Sequence, residues 1–331
     1  MSDSLRHFNE KRTERYQKDS GEEDFLLAMN RLLQAQEQAS YRDVEIEHPL
    51  IFIFGPPRSG TTLISQLIAH CCDTGFINNL MARFWLAPLH GIKLSRSVFG
   101  EQRHTAFQSD YARTTDLSDI HEYGYFWRHW LRKETLEDVT QSAEREENID
   151  WESLKKTLAN MQLAFGRPLV FKNIFGSYHL RKMREMLGKV LYVYIERDPL
   201  DTAVSILDAR RKYYGDERTW WSYTPVEYER LKNRDPWYQI AGQVFYLQRY
   251  YREQLRRHGQ GVTLQVSYPE MCANPAGVLA ELQGISEKAH GAPLPLIQSP
   301  PASFPLRVYH DRETDKARFR DLFDQLAQEN P

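Results

Sequence analysis

The sequence predicts an α/β fold, a parallel sheet flanked by helices, and three observations carry that expectation. Short apolar runs recur at 51–54, 169–172, 191–196 and 262–266, and runs of that kind fit strands buried on both faces. Stretches with helical spacing at 61–71, 150–165, 178–187, 199–211, 237–257 and 276–288 separate them. Alternation of that kind is the pattern of a parallel sheet with crossover helices. Finally, the first run stops at Gly55, passes through a loop closed by Gly60, and enters a helix at Thr61 and Thr62. A strand, a glycine-bounded loop and a helix start together cradle phosphate, because free backbone N–H groups and the helix dipole converge on the loop.

The elements follow in order. Residues 1–48 read as an N-terminal helical extension, in which Phe25, Leu26, Met29, Leu32 and Leu33 form a helical stripe over 24–38. That stripe either docks on the main domain or binds a partner. The main domain spans 49–331, with its core starting near Pro49. Residues 75–148 are rich in aromatics and weaker in periodicity, which suggests a helical insertion over the C-terminal edge of the sheet, where ligands bind in such folds. The run 293–305 is proline-rich and irregular, and the charged tail after Arg307 is expected to end in a short helix.

Bulk properties narrow the function. The chain carries 43 Lys+Arg against 45 Asp+Glu, a formal charge of −2, so nothing global recruits nucleic acid. Cys71, Cys72 and Cys272 are too few for a disulfide framework and fit reduced thiols in the cytoplasm. No apolar leader follows Met1, and no apolar run reaches the roughly 18 residues of a membrane span. No metal-ligand motif occurs, so no metal is expected.

The loop GPPRSGTTL, residues 55–63, nearly matches the triphosphate-binding pattern GxxxxGK[ST], but Thr61 stands in place of the lysine. That lysine reaches the β- and γ-phosphates, so its absence points to a nucleotide without a γ-phosphate. Arg58, Ser59, Gly60, Thr61 and Thr62 offer a guanidinium, hydroxyls and consecutive amides to one phosphate, and Gly60 permits close backbone approach. A second site follows the strand that ends at Glu196. There Arg197-Asp198-Pro199 opens a helix, with Asp198 at the cap and Pro199 in the first turn. Arg197 thus emerges at the same sheet edge as the loop, with Ser205 about two turns further on.

This pairing of loop and RDPLDTAVS resembles the sulfotransferases that use 3′-phosphoadenylyl sulfate (PAPS). The resemblance implies a P-loop-type fold and a PAPS sulfuryl donor without a metal. It assigns Arg58 to Thr62 to the 5′-phosphosulfate and Arg197 with Ser205 to the 3′-phosphate, and Arg58 is also expected to act in catalysis by stabilising the leaving phosphate oxygens. Tyr268, in the segment 266–271, resembles the family's strand-end tyrosine at the adenine, although Pro269 is inserted before Glu270. Lys172, in LVFKN, resembles the middle-strand lysine, a candidate near the sulfonate; its alternative is a strand-end lysine reaching solvent. The match spans roughly residues 50–275.

Transfer of a sulfuryl group needs an acceptor that loses a proton. Where cytosolic relatives carry a histidine two residues after the middle-strand lysine, this chain has Ile174, and Asn78 and Asn79 stand where some Golgi-type relatives carry a glutamate. The base is therefore sought at Glu122, ranked ahead of His121, in the run 119–127. Phe84, Trp85, Tyr125, Phe126, Trp127, Trp130, Trp220, Trp221 and Tyr223 either line an acceptor cleft or pack the core. Arg210, Arg211 and Lys212 read as a solvated helix face or as help for the 3′-phosphate. Arg307, His310, Arg312 and Lys316 in the tail are further cations for closing over the donor, without a supporting motif. The expected acceptor is a hydroxyl or amine, with a carbohydrate or small metabolite slightly favoured over a peptide side chain. The rivals are a P-loop small-molecule kinase and a non-catalytic nucleotide-binding scaffold. Oligomeric state is left open.

Overall fold

A computed structural model describes residues 7, 9–101, 107, 114, 116–133, 135 and 143–330. Part of the predicted insertion over 75–148, and part of the N-terminal extension, lie outside the described residues. Five parallel strands form one sheet in the order β2-β3-β1-β4-β5, with β1 Leu50–Phe54, β2 Gly75–Phe76, β3 Leu169–Lys172, β4 Val190–Glu196 and β5 Thr263–Ser267. Leu50 pairs with Leu169 on one side and with Val190 on the other, so β1 is central. Its five residues are all buried, as expected for a strand covered by helices on both faces. Strand β5 alternates instead: Leu264 and Val266 are buried while Gln265 and Ser267 are exposed, the pattern of an edge strand with one open face.

After β1 the chain moves toward β3 and β2, and after β4 it moves the other way to β5. The crevice between the C-terminal ends of β1 and β4 is therefore the topological switch point, where ligands bind in open α/β sheets. The loop 55–60 and Arg197 both leave the sheet there.

The helices have local causes. Asp198 accepts a hydrogen bond from the Asp201 amide at 2.9 Å and starts the helix Pro199–Tyr214, with Pro199 in the first turn. Asp150 and Asp235 cap the helices Trp151–Phe165 and Pro236–His258 in the same way. Ser267 caps the short helix Tyr268–Ala273, and Pro269 lies in its first turn. The proline that departs from the family pattern thus sits where a missing N–H costs nothing.

Three expectations change. The insertion is not purely helical, because Gly75–Phe76 adds a strand to the sheet beside β3. The tail ends in the 17-residue helix Glu313–Glu329, longer than expected. Phe319 and Leu326 bury completely against the helices Pro199–Tyr214 and Pro236–His258, and each contributes about 1.5–3 kcal/mol of burial. The N-terminal helix Ser20–Ala39 does dock on the domain, through Leu26 of the predicted stripe together with Leu27, Asn30 and Glu37. Phe25 and Leu32 of the predicted stripe are 66% and 82% exposed. Buried Asn30 and Glu37 take over the docking by polar means: Asn30 donates to the Arg83 carbonyl at 2.7 Å, and Glu37 accepts from the Leu89 amide at 2.6 Å. Both side chains thus have the hydrogen-bond partners that buried polar groups require.

Candidate active site

The loop after β1 is built by close backbone approach. A side chain at Gly55 would lie 2.3 Å from the Ile195 carbonyl oxygen of β4, so only glycine lets the two strand ends meet. Arg58 adopts φ 71° and Gly60 φ 106°, which turn the chain so that the helix Thr61–Cys71 begins inside the crevice. That helix has no side-chain N-cap, so its first-turn amides face the loop and favour an anion. Alanine at Gly60 would also place its Cβ 2.6 Å from Tyr268 Cδ2. The Gly60→Ala change is expected to cost about 1–3 kcal/mol. The measurable results are a lower calorimetric melting midpoint and weaker adenosine 3′,5′-bisphosphate binding; an unaltered protein on both counts would show that the turn is not strained.

One group of predicted residues meets beside this loop. Arg58 Nε donates to Ser205 Oγ at 2.9 Å, and Arg197 Nη1 donates to the Arg58 carbonyl at 3.3 Å. Arg197 is 6% exposed, with its guanidinium 5.0 Å from the Tyr268 ring and 5.6 Å from the Tyr309 ring. The Arg58 guanidinium turns toward Ser205, because the left-handed turn at Arg58 aims the side chain at the helix Pro199–Tyr214. Tyr268 begins a helix rather than ending a strand, and its ring packs on Gly60 beneath Arg197.

Lys172 and the residues of the insertion make a second group. Lys172 is buried, donates to Thr62 Oγ1 at 2.8 Å and forms an ion pair with Glu122, so the reading as a solvent-reaching lysine fails. Its ammonium stands beside the first turn of the loop helix, where a Walker lysine's charge is missing. Glu122 is half-exposed. His121 is exposed, but its Nδ1 accepts from the Tyr123 amide at 2.8 Å, so the neutral ring carries its proton on Nε2. Crowding by surrounding protein, with help from Lys18 and Lys172 and against the pull of Glu122, pushes this imidazole down to about 4. The ring is therefore neutral at physiological pH, with its Nδ1 lone pair engaged by the Tyr123 amide.

Other predicted residues fall elsewhere. Asn78 is buried, donating to Ser95 Oγ and accepting from the Met81 amide, each at 2.8 Å. Arg210 is neither on a solvated face nor at the donor site. It is fully buried, donates to Gln239 Oε1 at 2.8 Å and lies over Trp220. Arg211 pairs with Glu217. In the tail, Arg312 pairs with Asp208 at 2.9 Å and Lys316 with Asp201 at 2.7 Å. These pairs clamp the tail on the helix that carries Ser205. The clamp delivers two groups to the site: the Arg307 carbonyl, which accepts from Arg197, and Tyr309, whose hydroxyl donates to Ser205 Oγ at 3.2 Å. Sequence reasoning missed Tyr309. Its only signal was the cluster of tail cations around it.

Two buried polar atoms without a hydrogen-bond partner among the described residues, Ser59 Oγ and Arg197 Nε, lie in the loop and at the end of β4. Buried polar atoms demand partners. The model of the Sulfotransferase family matches residues 49–285. The chain belongs to that family. It is an enzyme, a PAPS-dependent sulfotransferase, with a P-loop-type fold. The sulfotransferase is similar in structure to STF9 from Mycobacterium avium, with a TM-score of 0.51 and 15% identity over 93% of this chain and 78% of that one. STF1 from Mycobacterium tuberculosis H37Rv gives a TM-score of 0.51 and 15% identity over 89% and 82%. These two likenesses speak for the fold. No curated protein sequence matches the sulfotransferase. No described helix is long and apolar enough to cross a membrane, and the described residues contain no group of three or more potential metal ligands.

Proposed function

We propose that this sulfotransferase moves the sulfuryl group of PAPS to a hydroxyl or amine of a glycan or small metabolite, in the cytoplasm. The observation that carries the reading is the pair of cationic groups flanking one helix N-terminus. Arg58, Ser205 and Arg197 lie on one flank, and Lys172 with Thr62 on the other. In this reading Arg197 and Ser205 hold the 3′-phosphate, with Arg58 between them and the loop. Ser59, Gly60, Thr61 and Thr62 supply hydroxyls and amides to the 5′-phosphate. Tyr268 backs Gly60 and Arg197.

The donor supplies the sulfuryl group and a phosphate leaving group. Lys172 steadies charge on the departing oxygens, its position fixed by Thr62, so little reorganisation accompanies the reaction. Glu122 takes the proton from the acceptor as the new bond to sulfur forms and the bond to the leaving oxygen breaks. The Lys172–Glu122 ion pair holds the carboxylate in place beside the proposed reacting centre. Three buried thiols without disulfides support the cytoplasmic assignment.

A calorimetric comparison of adenosine 3′,5′-bisphosphate, AMP and ATP tests the donor site. The 3′-phosphate is expected to tighten binding by about 100-fold over AMP, since hydrogen bonds to charged groups are worth about 1.5–3 kcal/mol each. Preference for ATP would overturn the placement of a 3′-phosphate at Arg197 and Ser205. Labelled-sulfate transfer to a panel of hydroxyl and amine acceptors then identifies the acceptor class.

A further inference from the structure

The N-terminal segment contributes residues that nothing in the family match covers. Thr13 ties it to the far end of the helix Pro199–Tyr214, donating through its amide to the Tyr213 carbonyl at 2.7 Å and through Oγ1 to the Lys212 carbonyl at 2.9 Å. Tyr16 stacks on Tyr213 with ring centroids 4.0 Å apart. Asn9 then clamps the backbone of Lys18 from both sides, donating to its carbonyl at 2.8 Å and accepting from its amide at 2.9 Å. From that fixed point the Lys18 ammonium donates to the Tyr125 hydroxyl at 2.8 Å and to Glu23 Oε1 at 2.9 Å. The Tyr125 hydroxyl in turn bonds the other oxygen of Glu23.

The three groups are chemically consistent. A phenol that accepts from an ammonium and donates to a carboxylate is neutral, and burial, then Glu23, holds Tyr125 protonated. Asp19 caps the first turn of the N-terminal helix at the Glu22 amide, 2.7 Å away, so Glu23 is held on a rigid element. Tyr125 lies three residues after Glu122, in the first turn of the helix Gly124–Trp130, and its ring packs on Trp85 with centroids 4.9 Å apart.

We propose that Lys18 and Glu23 are positioning residues that lock Tyr125, packed at a tilt against Trp85, as a rigid aromatic wall on the acceptor side of the site. This rests on the reading of Glu122 as the group facing the acceptor. The wall sets acceptor specificity: it presents a ring face and a hydroxyl already saturated by two charges. It therefore favours an acceptor with a flat or apolar face over one that needs a hydrogen bond there. Lys18 and Glu23 both precede residues 49–285, the matched span, so the N-terminal segment carries specificity of its own.

The test uses the full chain with Lys18→Met, Lys18→Arg and Tyr125→Phe. Hydrogen exchange followed by mass spectrometry is expected to speed up about tenfold over 124–130 in Lys18→Met, with 197–205 unchanged, since a charged anchor is lost locally. Lys18→Arg keeps the cation and should restore protection. Combining Lys18→Met with Tyr125→Phe should add nothing to either alone, because both break the same contact. Among 2-naphthol, N-acetylglucosamine and dopamine, the best acceptor of the wild type should show a KM raised about fivefold in Lys18→Met at nearly constant kcat. Adenosine 3′,5′-bisphosphate affinity, unchanged in every variant, separates this proposal from the donor-site reading. Unaltered exchange over 124–130 in Lys18→Met, or failure of Lys18→Arg to restore it, overturns the positioning role.

Discussion

Arg197→Ala is expected to weaken adenosine 3′,5′-bisphosphate binding by about 100-fold, because it deletes a buried guanidinium whose charged hydrogen bonds are worth about 1.5–3 kcal/mol each. The loss should be confined to the ribose phosphate, so AMP binding changes far less. Arg197 also bridges two backbone segments through the Arg58 and Arg307 carbonyls and stands between the Tyr268 and Tyr309 rings. Arg197→Lys controls for that scaffolding: it keeps the charge, loses the planar fork, and should recover only part of the affinity. Titration calorimetry reads both ligands on both variants. Equal losses for the bisphosphate and AMP would remove Arg197 from the 3′-phosphate.

The second large effect concerns turnover. Lys172→Met should lower kcat by about 10²–10³-fold under saturating donor, the usual consequence of removing one preorganised group that stabilises transition-state charge. Bisphosphate affinity should stay within about threefold, since Lys172 faces Thr62 and Glu122 rather than the Arg197 cluster. Glu122→Gln provides the companion measurement. The amide still accepts from Lys172 but cannot take a proton, so kcat should fall while the ammonium stays anchored. Near-normal turnover in Glu122→Gln would move the base elsewhere, and near-normal turnover in Lys172→Met would end the proposed role of the lysine.

Much of this architecture is legible in local sequence. The strands around Ile51, Val170, Tyr192 and Leu264 are short, apolar and flanked by turn or capping residues, so their positions follow within about a residue. The crevice follows as well, because strand, glycine turn and helix start are contiguous. What local sequence hides is pairing over distance. Arg58 and Ser205 are 147 positions apart, and only the left-handed turn at Arg58 reveals that they touch. Lys18 and Tyr125 are 107 positions apart, and neither lies in a motif. Part of the docking face of the N-terminal helix is hidden for a related reason. Apolar periodicity marks Phe25 and Leu32, whereas burial of Asn30 and Glu37 depends on backbone groups of another segment. Arg210 shows the reverse error: a charge among charges reads as solvated until Trp220 and Gln239 are seen around it.

The bond network at Ser205 has a consequence for discrimination among anions. Its hydroxyl oxygen is already engaged by Arg58 and Tyr309, and Arg197 is committed to the Arg307 carbonyl. An incoming phosphate must outbid these tenants, and a lone inorganic ion replaces them with little gain. A nucleotide held at its other end by the loop arrives with high local concentration and can displace them. If the proposed donor site is right, this occupied arrangement is expected to act as an admission threshold, with free phosphate and sulfate competing poorly against the nucleotide.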